Sequence, residues 1–142
     1  MRVLFLCTGN SCRSQMAEGW ARHLKSGMID AWSAGIVKHG LNPLAVKVMA
    51  EAGVDISGQT SKTVAELPQG DCDVVITLCD DAHAACPVFP GRTKVIHVGF
   101  DDPPRLAAGE KTEAGAIVHY RRMRDEIKSF IEGMPGNLKG KQ

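Results

Sequence analysis

The sequence predicts a single α/β domain in which parallel strands carry helices on both faces. Four short apolar runs alternate with segments of helical period, and strands separated by helices pair in parallel through right-handed crossovers. Gly, Asn and Pro punctuate the junctions at Gly9-Asn10, Asn42-Pro43 and Gly53. The 142 residues, 44% hydrophobic and 23% charged, suit one core, and no repeat or low-complexity linker divides them.

Residues 2–6 read as the first strand. Residues 15–25 follow as a helix, with Met16, Trp20 and Leu24 on one face, and residues 31–34 as the second strand. Asn42 is a good cap and Pro43 suits the first helical position, so a second helix opens there and ends at Gly53. Residues 61–67 suit a short helical turn, 73–78 a buried strand and 94–98 a fourth strand. A long helix is expected over 113–132 with Ile117, Tyr120, Ile127 and Ile131 inward. The domain is expected to span 1–134, leaving 135–142, with its glycines and lysines, as a flexible tail.

In a parallel sheet, active groups collect at the carboxyl ends of the strands. Cys7 ends the first strand, Cys79 the third, and Phe100-Asp101-Asp102-Pro103 follows the fourth, so three reactive segments converge on one edge. A net charge of +1 gives no reason to expect nucleic acid or an anionic membrane as a partner. The first residues lack the pattern of a signal peptide and no apolar run approaches spanning length, so a cytoplasmic location is expected.

Five cysteines, Cys7, Cys12, Cys72, Cys79 and Cys86, are an odd number that argues against a static disulfide framework. Their spacing lacks the close C-x2-C pair that zinc favours, so no metal site is expected. Reactive thiols remain. The turn Thr8-Gly9-Asn10-Ser11-Cys12-Arg13-Ser14 leads from Cys7 into a helix. Such a turn aims backbone N–H groups and the positive end of a helix at the thiol. The same field favours thiolate over thiol and suits a tetrahedral anion. Arg13 adds a cation with a fork for two oxygens. A nucleotide-binding loop would end in Gly-Lys-Ser/Thr, and this one ends in Cys12-Arg13-Ser14. Cys7 is the candidate nucleophile. Ser14 is placed to donate to its sulfur and to cap the helix. Asn10 suits a left-handed turn with Ser33 as partner, and Cys12 and Cys72 read as packing residues.

Cys7-x5-Arg13-Ser14, Ser33-Ala34-Gly35 and Asp102-Pro103 resemble, over nearly the whole chain, the low-molecular-weight protein tyrosine phosphatase fold. Within it, Cys79, Cys86 and the run from Asn42-Pro43 to Asp55-Ile56-Ser57 are similar to the thioredoxin-coupled arsenate reductases. The resemblance implies a four-stranded parallel sheet with arsenate as substrate and phosphate or sulfate as competing anions. It also implies external thioredoxin as reductant, no tightly bound cofactor and a monomer; a monovalent cation is a further candidate ligand. Asp102 becomes the proton donor to the leaving oxygen, with Asp101 able to replace it only if the loop turned differently.

Chemically, the loop amides and Arg13 would hold arsenate while Cys7 attacks, after which Cys79 and then Cys86 pass on a disulfide. A straight helix from 79 to 86 would separate the two Cα atoms by about 10 Å, against about 4.4 to 6.8 Å for a disulfide. The segment must therefore unwind, which Pro87 and Pro90 favour by stopping a helix. His83 between the cysteines reads as a solvated side chain, and Lys38 and Lys62 as background positive charge. Two alternatives stand beside the reductase. A tyrosine phosphatase would want aromatic walls, yet aromatics are few and Pro104-Arg105 follows Asp102-Pro103. A noncatalytic anion sensor or redox switch would bind without turnover.

Overall fold

The computed structural model describes residues 1–67, 72–86 and 93–138. Its centre is a four-stranded, wholly parallel sheet in the order β2-β1-β3-β4. The strands are β1 (Arg2–Cys7), β2 (Asp30–Gly35), β3 (Val74–Thr77) and β4 (Lys94–His97). Val3, Leu4, Phe5 and Leu6 are all buried, as a strand covered on both faces requires. The register sets Leu6 beside Thr77, Thr77 beside His97 and Cys7 beside Gly35, so all four strands end at one level.

Among the described residues, five α-helices connect and cover the sheet: α1 (Arg13–Leu24), α2 (Pro43–Glu51), α3 (Asp80–Ala84), α4 (Pro103–Ala107) and α5 (Glu113–Glu132). The expected cap of α2 is present: Asn42 Oδ1 accepts from the amides of Leu44 and Ala45 at 2.9 and 3.3 Å. The other end of that side chain donates to the Tyr120 hydroxyl at 3.1 Å and ties α2 to α5. The inward face expected of α5 is buried, and Met123 joins it. Trp20 of α1 donates its indole N–H to the Arg124 carbonyl at 3.1 Å, fastening α1 to α5. The turn expected over 61–67 is a single 3-10 turn, Val64–Glu66, opened by Thr63 and closed on itself by Glu66.

Two expectations change, and α4 is an element beyond them. α1 begins at Arg13, before the apolar period that marks residues 15–25, and no side chain caps it; Ser14 lies inside the helix. The Asp101-to-Pro104 stretch is the entry to α4, with Pro103 at its first position. A five-residue helix is too short to show a period. In the expected tail, Gly136–Leu138 forms a 3-10 turn and buries Leu138, an apolar anchor that the surrounding glycines and lysines mask. Pro87, Pro90 and residues 139–142 lie outside the described residues. No helix among the described residues is long and apolar enough to cross a membrane.

Gly35 fixes the meeting of β2 with the β1–α1 turn. A Cβ there would stand 2.7 Å from the Asn10 amide nitrogen and closer still to the Val37 carbonyl, both backbone atoms that cannot swing aside. Gly35→Ala is expected to cost about 1 to 3 kcal/mol in urea denaturation; unchanged stability would show that the turn relaxes freely.

Candidate active site

The turn from Cys7 to Arg13 is shaped by where its carbonyls go. Residues 36–42 run beside it, and the amides of Ile36, Val37, His39 and Asn42 donate to the carbonyls of Cys7, Thr8, Gly9 and Ser11 at 3.0 to 3.3 Å. The Asn10 carbonyl accepts from Gln15 Nε2 at 3.0 Å, and the Cys12 carbonyl from the Met16 amide at 2.9 Å. Every carbonyl from Cys7 to Cys12 is thus engaged. Among the described residues, no backbone amide of residues 8–12 donates a hydrogen bond. Their N–H groups are the free donors at the start of α1, and an anion is what such donors accommodate.

Asn10 holds this shape. It is fully buried, with φ of 47°, the left-handed region that Asn tolerates. Its Oδ1 accepts from the Lys62 amide at 2.8 Å and from Gln15 Nε2 at 3.1 Å. Its Nδ2 donates to Ser33 Oγ at 3.0 Å and to Ser14 Oγ at 2.8 Å. Ser33 in turn donates to Glu18 Oε1 at 2.6 Å. With Asn10 feeding the Ser14 oxygen, the Ser14 proton is left for the Cys7 sulfur, 2.9 Å away. The chain of donors from Asn10 ends on the Cys7 sulfur.

A cleft of about 1010 Å³ opens over this turn, lined by Cys7, Thr8, Gly9, Ser11, Cys12 and Arg13 on one side and by Cys79, Phe100, Asp102 and Arg105 on the other. Arg13 is 8% exposed; its Nη1 donates to the Phe100 carbonyl at 3.0 Å and its Nη2 lies 3.6 Å from Asp102 Oδ1. Asp101 also lines the cleft but pairs with Arg122 of α5 at 3.2 Å, whereas Asp102 is the carboxyl paired with Arg13. Cys12 is buried, and that burial, followed by the charge of Cys7, pushes its thiol far above the ordinary range. It packs, and contributes backbone only.

Cys79, 9% exposed, stands in the same cleft, at the end of the strand next to β1. Its Sγ lies 3.2 Å from Thr8 Oγ1 and accepts from the Ala82 amide at 3.4 Å. Cys86 is half-buried beyond the end of α3, and burial raises its thiol above the usual value. Cys7, Arg13, Cys79 and Asp102 therefore line one cleft, and Cys86 is not among the residues lining it.

Sequence spacing misplaces three side chains. His83 is exposed but not merely solvated: its Nδ1 lies 3.0 Å from Thr77 Oγ1, and its ring sits 4.7 Å from that of His97. Lys38 pairs with Glu66 at 2.9 Å, and Lys62 Nζ lies 3.0 Å from the Thr60 carbonyl and 3.8 Å from Glu18, so neither is background charge for the cleft. Gln15, Glu18 and the His39 imidazole against Gly9 went unnoticed in the sequence. A polar pair at 15 and 18 on the otherwise apolar side of α1 was the available signal.

Residues 2–142 match the model of the low molecular weight phosphotyrosine protein phosphatase family. The chain is 52% identical over 134 residues to an arsenate reductase of Bacillus subtilis, covering 92% of this chain and 94% of that one. It is 49% identical over 134 residues to an arsenate reductase of Halalkalibacterium halodurans, with the same coverage. Among solved structures it resembles an arsenate reductase in its oxidized state, with a TM-score of 0.78, 32% identity and coverage of 96% and 98%. An arsenate reductase in its phosphate-binding state gives a TM-score of 0.71 at 34% identity, covering 94% of this chain and 95% of that one.

Ser14→Ala is expected to slow iodoacetamide capture of Cys7 at pH 7 by about tenfold, the scale of a hydrogen bond to a charged group. Mass spectrometry of the labelled peptides reads this; an unchanged rate would show that the hydroxyl does not activate the sulfur.

Proposed function

The chain belongs to the low molecular weight phosphotyrosine protein phosphatase family, and from that premise we propose that it is an arsenate reductase, working through Cys7, Cys79 and Cys86 and recycled by thioredoxin. The observation that carries this reading is the second thiol in the cleft, Cys79, linked to the nucleophile's own turn through Thr8. Phosphate hydrolysis has no use for it. The names borne by the relatives point the same way.

In the first step the free amides of the turn and the Arg13 guanidinium hold the oxyanion. The Cys7 sulfur attacks the arsenic of hydrogen arsenate, an S–As bond forms as one As–O bond breaks, and the arsenate hydroxyl leaves as water with a proton from Asp102. The Cys79 thiolate then attacks the Cys7 sulfur. The S–As electron pair passes to arsenic, which falls from the pentavalent to the trivalent state as arsenite, while two thiols are oxidised to one disulfide. Cys86 next attacks the Cys79 sulfur; the new bond forms as the Cys7–Cys79 bond breaks, and Cys7 departs as thiolate. Thioredoxin reduces the remaining disulfide.

A phosphatase would share only the first displacement, with phosphorus in place of arsenic, and water would then attack the adduct.

Arsenite release with a thioredoxin system tests the order of thiols. Cys7→Ser is expected to reduce release to background, Cys79→Ser to stop before any disulfide, and Cys86→Ser to accumulate a Cys7–Cys79 disulfide after one turnover. Sustained turnover by Cys79→Ser, or p-nitrophenyl phosphate hydrolysis far outrunning arsenite release, overturns the reading.

Burial holds Cys86 as a thiol above its ordinary value, so the thiolate that attacks Cys79 is scarce at neutral pH and grows with alkalinity. Transfer of a trapped Cys7–Cys79 disulfide to Cys79–Cys86 is therefore expected to accelerate about tenfold per pH unit between roughly 7 and 9. A flat profile across that range would mean that Cys86 attacks from a different environment.

A further inference from the structure

A circuit of hydrogen bonds leaves α3, crosses two strands and returns to α3. Thr77 Oγ1, at the buried end of β3, lies 3.0 Å from His83 Nδ1 and 2.9 Å from His97 Nδ1. His97 Nε2 lies 3.0 Å from Asp80 Oδ1. A carboxylate only accepts, so His97 donates through Nε2–H. In its neutral form its Nδ1 is then an acceptor, and at 2.9 Å it takes the single Thr77 hydroxyl proton in preference to the Ile96 carbonyl at 3.5 Å. The Thr77 oxygen in turn accepts from His83 Nδ1–H. The path runs His83 to Thr77 to His97 to Asp80, and both ends are residues of α3. The two imidazole rings lie over one another, 4.7 Å between centroids and inclined by 35°.

The anchored part of this circuit is the sheet. Thr77 and His97 are register partners on β3 and β4, whereas Asp80 and His83 sit between the two thiols of the segment 79–86. The buried end dominates energetically, because Thr77 is fully buried while the Asp80 side chain is 99% exposed and its pairing with His97 is screened by water.

A helical path from 79 to 86 spans about 10 Å, and a disulfide between them needs Cα atoms within about 7 Å. Cys79 caps α3 and Cys86 lies two residues past its end, so drawing the two together shortens the path along α3 and pulls against Asp80 and His83, where it meets the circuit. The circuit therefore belongs to the dithiol form.

We propose that His83, His97 and Asp80 are positioning residues that act through Thr77 to hold α3 in the dithiol form and so set the equilibrium of the Cys79–Cys86 couple. The inference rests on the thiol relay proposed above. In the dithiol form the circuit keeps Cys79 at the N-terminal end of α3, beside Thr8, for its attack on Cys7. The transfer from Cys7–Cys79 to Cys79–Cys86 then releases it: the Cys86 sulfur bonds to the Cys79 sulfur, Cys7 leaves with the electron pair, and no net oxidation occurs in that step.

The test equilibrates the full chain, in a Cys7→Ser background, with mixtures of reduced and oxidised dithiothreitol, and identifies the thiols by alkylation and mass spectrometry. His83→Ala, an exposed site, removes the donor to Thr77 and is expected to shift the equilibrium towards the Cys79–Cys86 disulfide by about three- to tenfold. The upper figure corresponds to a potential about 30 mV lower. His83→Asn, which keeps an N–H for Thr77, is expected to recover most of the shift, a rescue that general loosening of the chain would not give. An equilibrium within twofold of the parent in His83→Ala overturns the inference and leaves the relay standing. Failure of the parent to form any Cys79–Cys86 disulfide overturns the relay, and the inference with it.

Discussion

The anion turn depends on the occupation of its own carbonyl oxygens. A backbone bend exposes acceptors as readily as donors, and exposed acceptors would repel the oxyanion that the donors attract. Here residues 36–42 take the carbonyls of Cys7, Thr8, Gly9 and Ser11, Gln15 takes that of Asn10, and Met16 takes that of Cys12. What is left facing the cleft is donors alone. The partition demands that 36–42 lie close against the turn, which is why the last residue of β2 has no side chain. Asn10, left-handed and satisfied at both ends of its amide, holds the bend from inside.

From that partition the chemistry of sulfur follows. The Ser14 hydroxyl reaches Cys7 because α1 starts early enough to include it, and it has a proton to give because Asn10 feeds its oxygen. The hydroxyl acts inside the helix rather than as its cap. Cys12, five residues on, is as buried as Cys7, and that burial pushes its thiol up. The difference between the two is the hydroxyl: Ser14 reaches the sulfur of Cys7.

The sheet, its order of appearance and the cleft at its carboxyl edge were legible because each rests on a pattern the sequence carries: apolar runs, the Asn42-Pro43 cap, the 3.6-residue period of α5. The Cys7 turn was legible because Gly, Asn, Ser and Arg have few other reasons to follow a strand. What escaped depends on partners distant in sequence. His83 looked solvated because its partners, Thr77 and His97, are set by pairing of β3 with β4. Lys62 looked like loose charge because Glu18 lies on another element. α4 and the turn at Gly136–Leu138 are too short for any period to declare them.

The parallel track of residues 36–42 against the turn makes the spacing between Cys7 and Arg13 a fixed length. Surface loops commonly absorb insertions, because their ends are joined by flexible chain. This one is stitched along its whole course, so an added residue would slide every carbonyl past its donor and turn acceptors into the cleft. A redesign for another oxyanion would keep the first turn intact and work at Cys79 and along residues 98–106.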